Sequence, residues 1–302
     1  MSLLVVGSIA IDKVETPHGK AEEELGGSAV YFSFAASCFG PVRLVGVVGE
    51  DFPPAYAERL AARGIDVRGI EHAPGRTFRW HGSYEGRMEQ AETLEVELNV
   101  FGGFDPQIPE PFRDSRFVFL ANGSPVTHMR ALERLDGPAF VMADTMNFYI
   151  ANERDALLEL LARIDALVIN DAEALQLSGR ADLLSAARWI RERGPTWCIV
   201  KKGEHGALLR GPEGVFALPA FPHEHVVDPT GAGDSFAGGF MGCLARGERL
   251  DAEAMKRARA YGTVTASFAI EGFGPWVFED IDEAKRERRY ADFVAATQLY
   301  SP

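Results

Sequence analysis

Cysteine is scarce. Only Cys38, Cys198 and Cys243 of the 302 residues carry a thiol, and no C-x-x-C spacing occurs. That excludes a disulfide framework and a cysteine-built zinc module, and leaves buried reduced thiols of a cytoplasmic protein as the expectation. Positive charge is also short, with 31 Lys and Arg against 44 Asp and Glu and a formal net charge of −13. Such a surface is a poor partner for nucleic acid or anionic lipid, so a polyanionic ligand must be held by local donors. No run reaches the ~18 uninterrupted apolar residues of a membrane span. The opening MSLLVVGSIAID lacks the basic lead and the longer apolar stretch of a signal peptide, and reads as a first buried strand. Repeats and low-complexity linkers are missing too. A cytoplasmic protein without nucleic-acid or membrane partners is expected.

Short, nearly continuous apolar runs are abundant. LLVVG (3–7), VRLVGVVG (42–49), RFVFLA (116–121), PAFVMAD (138–144), DALVIND (165–171) and WCIVKKG (197–203) read as strands buried on both faces. Helical patterns at 28–39, 52–63, 126–135, 151–162 and 181–193 alternate with them. That order predicts an α/β doubly wound, mostly parallel sheet flanked by helices, with ligands beyond the carboxyl ends of the strands. Two segments break the alternation. Residues 9–25 follow the first strand without a helix, and 76–104 reads as an aromatic hairpin turning near Glu85-Gly86. Together they suggest a small β-sheet lid, with an ordinary edge hairpin as the alternative. After 230 the pattern becomes helical, closing with a helix over 280–297 whose KRERR run suits a solvated face.

The stretch HVVDPTGAGDSFAGGF (225–240) sets an acid, Asp234, among glycines at a helix start. Flexible glycines and unpaired helix N–H groups make an anion site without a basic side chain. Neither the Lys-Ser/Thr pair of a P-loop nor an early G-x-G-x-x-G is present. Asp234 then has two readings. It is a first-turn acid on the helix dipole, or a base that takes a hydroxyl proton beside a bound phosphate.

DPTGAGDSFAGG resembles the carboxyl-terminal signature of the PfkB/ribokinase family of sugar and nucleoside kinases. ELGGSAVYFSFAASCFG (24–40), LVINDAEALQLSG (167–179) and IVKKGEHGALL (199–209) resemble three more of its motifs, in family order. The resemblance implies a single ribokinase-like domain over 1–302, with its lid at about 9–25 and 76–104. It implies an ATP- and Mg²⁺-dependent kinase acting on a hydroxymethyl group of a sugar, nucleoside or polyol. By the same resemblance Asp234 is the base, with Gly231, Ala232 and Gly233 as the anion hole. Asn170 and Glu173 organise Mg²⁺ and its waters, although the residues alone read as a helix cap with an acidic first turn. Lys202, Gly203, Gly206, Thr230, Tyr261 and Gly272 border the nucleotide, and Asp12, Gly26, Gly27, Tyr31 and Asn122 bind the acceptor. Asp228 is a candidate K⁺ ligand, and pairing of lids implies a homodimer through 76–100.

Some positions depart from the family pattern. Tyr31 stands where an asparagine is usual, Asn147 lacks a following arginine, and Trp276 falls near a usual serine. Tyr31, Phe32, Phe78 and Trp80 suggest stacking on an acceptor face, or simple packing between lid and core. Arg76, Arg79 and Arg87 suggest either an acidic acceptor or exposed strand arginines. His223 and His225 read as surface residues alternating along a strand. A non-catalytic nucleotide- or sugar-binding member of the same fold, acting as sensor or scaffold, is the alternative function.

Overall fold

Strand β1 (Leu3–Val6) shows how the sheet is assembled. All four side chains are buried, Leu3 and Val5 in one apolar cluster and Leu4 and Val6 in another. Successive strand side chains point to opposite faces, so an unbroken apolar run needs cover on both. This computed structural model, which describes residues 2–298, supplies that cover with helices on each side. Met1 and residues 299–302, the ends of the expected 1–302 domain, lie outside the described residues.

From β1 the chain leaves the sheet as the hairpin β2 (Ala10–Thr16) and β3 (Gly19–Gly26), and α1 (Ser28–Ser37) follows. Strand β4 (Val42–Val48), α2 (Pro54–Ala62) and β5 (Ile65–His72) return to the main sheet. A second excursion, β6 (Phe78–Ser83) and β7 (Glu92–Glu97), precedes β8 (Phe117–Leu120), α3 (Pro125–Glu133) and β9 (Phe140–Ala143). Next come α4 (Asn147–Asn152), α5 (Arg154–Leu161), β10 (Ala166–Asn170), α6 (Asp171–Ser178), α7 (Leu183–Arg191) and β11 (Trp197–Lys201). The hairpin β12 (Ala207–Gly211) and β13 (Gly214–Leu218) leads to α8 (Ala232–Gly247), α9 (Ala252–Ala269) and α10 (Glu283–Thr297).

The main sheet runs β13-β12-β11-β10-β9-β8-β1-β4-β5. It is parallel from β11 to β5, with β12 and β13 antiparallel at one edge. Phe32 and Phe34 of α1, Phe240 of α8 and Phe268 of α9 fill one face. Ala131 of α3, Leu157 of α5, Leu177 of α6 and Ile190 of α7 fill the other. Helix α8 is the hub of its layer because two glycines let neighbours touch its backbone. A Cβ on Gly238 would meet the Phe32 carbonyl at 2.4 Å, and one on Gly239 would meet Thr265 Oγ1 at 2.0 Å.

The two excursions form one four-stranded sheet, β3-β2-β6-β7, over the expected lid segments. Strands β6 and β7 pair antiparallel, and Met88 N–H donates to the Glu85 carbonyl at 2.9 Å, so the turn lies where Glu85-Gly86 suggested. The join between the excursions is parallel, β2 to β6. Some details differ from the sequence reading, among them α4 and β13, which were not foreseen. Strand β5 was not foreseen, since most of its residues are only partly covered at the sheet edge. Residues 171–178, noted only as a cap with an acidic first turn, form a full helix. His223 and His225 lie on no strand; His223 pairs with Glu271 at 3.1 Å and only His225 is exposed. Among the described residues, no helix is long and apolar enough to cross a membrane.

Candidate active site

The glycine-acid turn forms the head of α8. Gly231 is its cap in the left-handed region at φ 72°, and a Cβ there would lie 2.2 Å from the Tyr31 ring. Glycine is required on both counts. Thr230 N–H donates to Asp228 Oδ1 at 2.9 Å, which pins the approach to the turn. Ala232 N–H is spent on the Pro229 carbonyl at 3.2 Å. Among the described residues, the N–H groups of Gly231 and Gly233 have no such partner. The donor set is therefore narrower than the expected trio of Gly231, Ala232 and Gly233.

Three neighbouring parallel strands bring polar groups to this edge at their carboxyl ends. Asp144 follows β9, Asn170 ends β10 and Lys201 ends β11. Lys201 Nζ donates to Asp144 Oδ2 at 3.0 Å, and Asp144 Oδ1 accepts from Thr145 N–H at 2.8 Å. Asn170 and Glu173 form a capping box. Glu173 N–H donates to Asn170 Oδ1 at 2.8 Å, and Asn170 N–H to Glu173 Oε2 at 3.0 Å. The cap read from the residues alone is therefore real, and it leaves Glu173 Oε1 unspent. Burial pushes Glu173 up to about 7, with Asp144 adding to the rise and Lys201 opposing it. Asp234 is half-buried, and its desolvation together with Asp144 raises it to about 7, again against Lys201. A carboxylate poised near neutrality has the basicity a proton acceptor needs.

The acceptor side is built on Asp12. It is 4% exposed, and a Cβ on Gly26 would fall 1.9 Å from its Oδ2, so glycine makes room for the carboxyl group. Burial raises Asp12 to about 8, the Gly27 N–H works the other way, and Asp228 and Asp234 add to the rise. Gly27, at φ 94°, leads straight into α1. Asn122 sits just past β8, its Nδ2 3.2 Å from Met146 Sδ and its Oδ1 buried without a partner. Asp228 is fully buried and its Oδ2 is also unpartnered.

Several expectations on this side need correction. Tyr31 is 2% exposed with its ring against Gly231, so it offers no face for stacking. Its hydroxyl is buried without a partner, beside Asp12 and Asp228, and burial with those charges lifts its pKa well above the ordinary value. Phe32 stacks on Phe119 in the core and Phe78 on Phe101, which leaves Trp80 as the half-exposed aromatic of the four without an aromatic partner. Arg76 pairs with Glu97, Arg79 with Glu23 and Asp51, and Arg87 with Glu89 and Glu204. All three are engaged in ion pairs, with Arg76 and Arg87 more than half exposed, as exposed arginines usually are. Trp276 turns to Glu24 and lies under Arg59.

On the nucleotide side, Lys202 N–H closes on the Gly206 carbonyl at 2.8 Å, with Gly203 and Gly206 at φ 52° and 79°. A Cβ on Gly203 or Gly272 would meet open space, so both positions stay accessible. Tyr261, also expected at the nucleotide, instead packs between α9 and α10, stacking on Tyr290 and donating to Glu287 at 2.7 Å. Thr230 Oγ1 lies 3.4 Å from the hydroxyl of Tyr84, which belongs to the lid turn. The lid therefore reaches the anion turn. Asp144, Lys201 and Tyr84 were not singled out from the sequence. The available signal was that three buried runs in a row end in Asp, Asn and Lys.

The pfkB family carbohydrate kinase model matches residues 2–275. The chain belongs to this family. It is 31% identical to the cytidine kinase of Thermococcus kodakarensis, over 83% of this chain and 91% of that one. It is 27% identical to a nucleoside kinase of Methanothermobacter thermautotrophicus over 90% of each chain. Among solved structures it resembles the Burkholderia thailandensis nucleoside kinase in complex with inosine, with TM-score 0.81, 21% identity and 96% of each chain covered. A putative ribokinase II from E. coli, in complex with ATP and Mg²⁺, aligns with TM-score 0.80 at 23% identity over 96% and 99% of the two chains. The pfkB chain is thus an α/β kinase of the nucleoside and sugar class, and its small sheet is part of that ribokinase-like fold.

Proposed function

We propose that this kinase transfers the γ-phosphate of ATP to the hydroxymethyl group of a nucleoside, with Asp234 as the base. The observation that carries this reading is the half-buried Asp234 carboxyl, held near 7, in the same helix turn as the free N–H groups of Gly231 and Gly233. The acceptor oxygen attacks the γ-phosphorus as its proton passes to Asp234, and ADP departs. The two N–H groups donate to the charge that develops on the phosphoryl oxygens. Asp12 and Asn122 Oδ1 offer polar contacts to the hydroxyls of a ribose ring.

The nucleoside choice rests on the lid. Asp12, Trp80 and Val96 are registered across β2, β6 and β7, so they share one face. Val96 is 49% exposed and Trp80 is half-buried, giving a flat base an apolar surface above the ribose contacts. Relatives named cytidine kinase and nucleoside kinase support the same choice.

Mg²⁺ fits the donor set. Glu173 Oε1 is free of the capping box, and Mg²⁺ is usually held by one or two carboxylates, substrate phosphates and water. When bound, it neutralises phosphate charge. The unpartnered Asp228 Oδ2 supports a K⁺ requirement, read as faster turnover in KCl than in NaCl. The exposed Leu94 and Leu98 on and just after β7 support a homodimer through the lid, and a monomeric sizing peak contradicts it.

The test is phosphate transfer from MgATP across cytidine, inosine, other nucleosides, ribose, fructose, inositols and keto-deoxy acids, with products identified by mass. Nucleoside 5′-phosphate is the expected product. A sugar phosphate alone overturns the nucleoside assignment. Tight nucleotide binding with no product from any acceptor favours the sensor or scaffold reading.

A further inference from the structure

Proton transfer to Asp234 leaves one half-buried cation without a task. Lys201 ends β11 with its side chain 18% exposed, and its partner Asp144 is 6% exposed. One ammonium N–H goes to Asp144 Oδ2, and among the described residues no other hydrogen bond from Nζ is formed. A Cβ on Gly233 would lie 3.0 Å from Lys201 Nζ, so the ammonium stands beside the free N–H at the head of α8. Thr145 N–H steadies the Asp144 carboxylate from behind. An anchored cation with two unspent donors therefore faces the same space as the anion turn, in a chain whose formal charge is −13. Burial works against the charge on Lys201, but Asp144, Glu173 and Asp234 outweigh it and keep the ammonium protonated.

We propose that Lys201 is a catalytic cation of the transfer, held by Asp144 so that its ammonium contacts the phosphoryl group between nucleotide and acceptor. The proposal rests on the kinase reading. The acceptor oxygen forms the new P–O bond, and the bond from the γ-phosphorus to the bridging oxygen breaks. ADP leaves with that electron pair, the acceptor proton goes to Asp234, and Lys201 keeps its own protons. A fixed ammonium acts as a point charge on phosphate and needs no reorganisation during the step.

The test compares wild type with Lys201→Met and Lys201→Arg, by steady-state rates and by calorimetric binding of MgATP and of AMP. Lys201→Met should lower kcat by about 10²-fold or more. It should weaken ATP by about tenfold while AMP, which lacks the terminal phosphates, binds as before. Lys201→Arg should recover part of both losses by restoring the charge. Wild-type kcat with an unchanged ATP-over-AMP preference in Lys201→Met overturns the proposal. Equal weakening of ATP and AMP also overturns it, because that is the mark of a structural role. Lys201→Gln, which keeps a donor for Asp144, replaces the methionine variant if the latter does not fold. If wild type phosphorylates nothing, the kinase reading has failed, and the binding comparison alone decides whether Lys201 meets phosphate.

Discussion

Replacing Asp12 by Asn should make the protein more stable at neutral pH while impairing it as an enzyme. Burial holds Asp12 at about 8 against an ordinary 3.8. A carboxyl raised in this way keeps its proton in the folded state where the unfolded chain has lost it. The folded state therefore loses no ground below pH 3.8, loses it steadily as pH rises, and stops losing near pH 8. At pH 7 the interval is about three units, which at about 1.4 kcal/mol per unit costs about 4 kcal/mol. Asparagine removes the titration yet keeps an oxygen for the Gly27 N–H. At about 2–4 °C per kcal/mol, the variant should melt about 8–16 °C higher at pH 7. Near pH 4 the two proteins should melt together. Thermal unfolding followed by circular dichroism from pH 4 to 8 reads the gap directly. Parallel Tm curves across that range would refute the reasoning, because they mean that Asp12 titrates alike in both states. Activity supplies the complement: KM for the acceptor should rise in Asp12→Asn while ATP binding stays unchanged.

Three more outcomes follow from the same groups. kcat/KM should climb with pH through a midpoint near 7, because Asp234, raised to about 7 by burial, accepts a proton only when ionised; a flat profile between pH 5 and 9 contradicts this. Gly231→Ala forces a left-handed alanine whose Cβ falls 2.2 Å from the Tyr31 ring, so about 1–3 kcal/mol of stability and most of the activity should go. Denaturant titration and initial rates check both losses. Asn170→Ala removes the cap of α6 and should cost about 1 kcal/mol, seen as a lower urea midpoint with an unchanged slope.

The parts legible in the sequence are those whose physics is local. Residues 3–6, 140–143, 166–169 and 197–200 are apolar without a break, which only a strand covered on both faces requires. The helix start at Asp234 was legible because glycines just before an acid, ahead of a long apolar stretch, mark a turn into a helix. Strand β5 was not, since an edge strand alternates weakly and keeps polar residues. The parallel pairing of β2 with β6 joins segments more than 60 residues apart, and no local pattern encodes it. Tyr31 misled for the same reason: the glycine that buries its ring is Gly231. Lys201 and Asp144 read as ordinary charges at strand ends until the fold places them side by side.

The central claim is that Asp234 takes the acceptor proton while backbone N–H groups hold the phosphate. Its most direct measurement is ADP release by Asp234→Asn and wild type on the preferred acceptor, with MgATP affinity measured on both. The account predicts that kcat falls by about 10²–10⁴-fold with ATP affinity little changed. Turnover near that of wild type would contradict it.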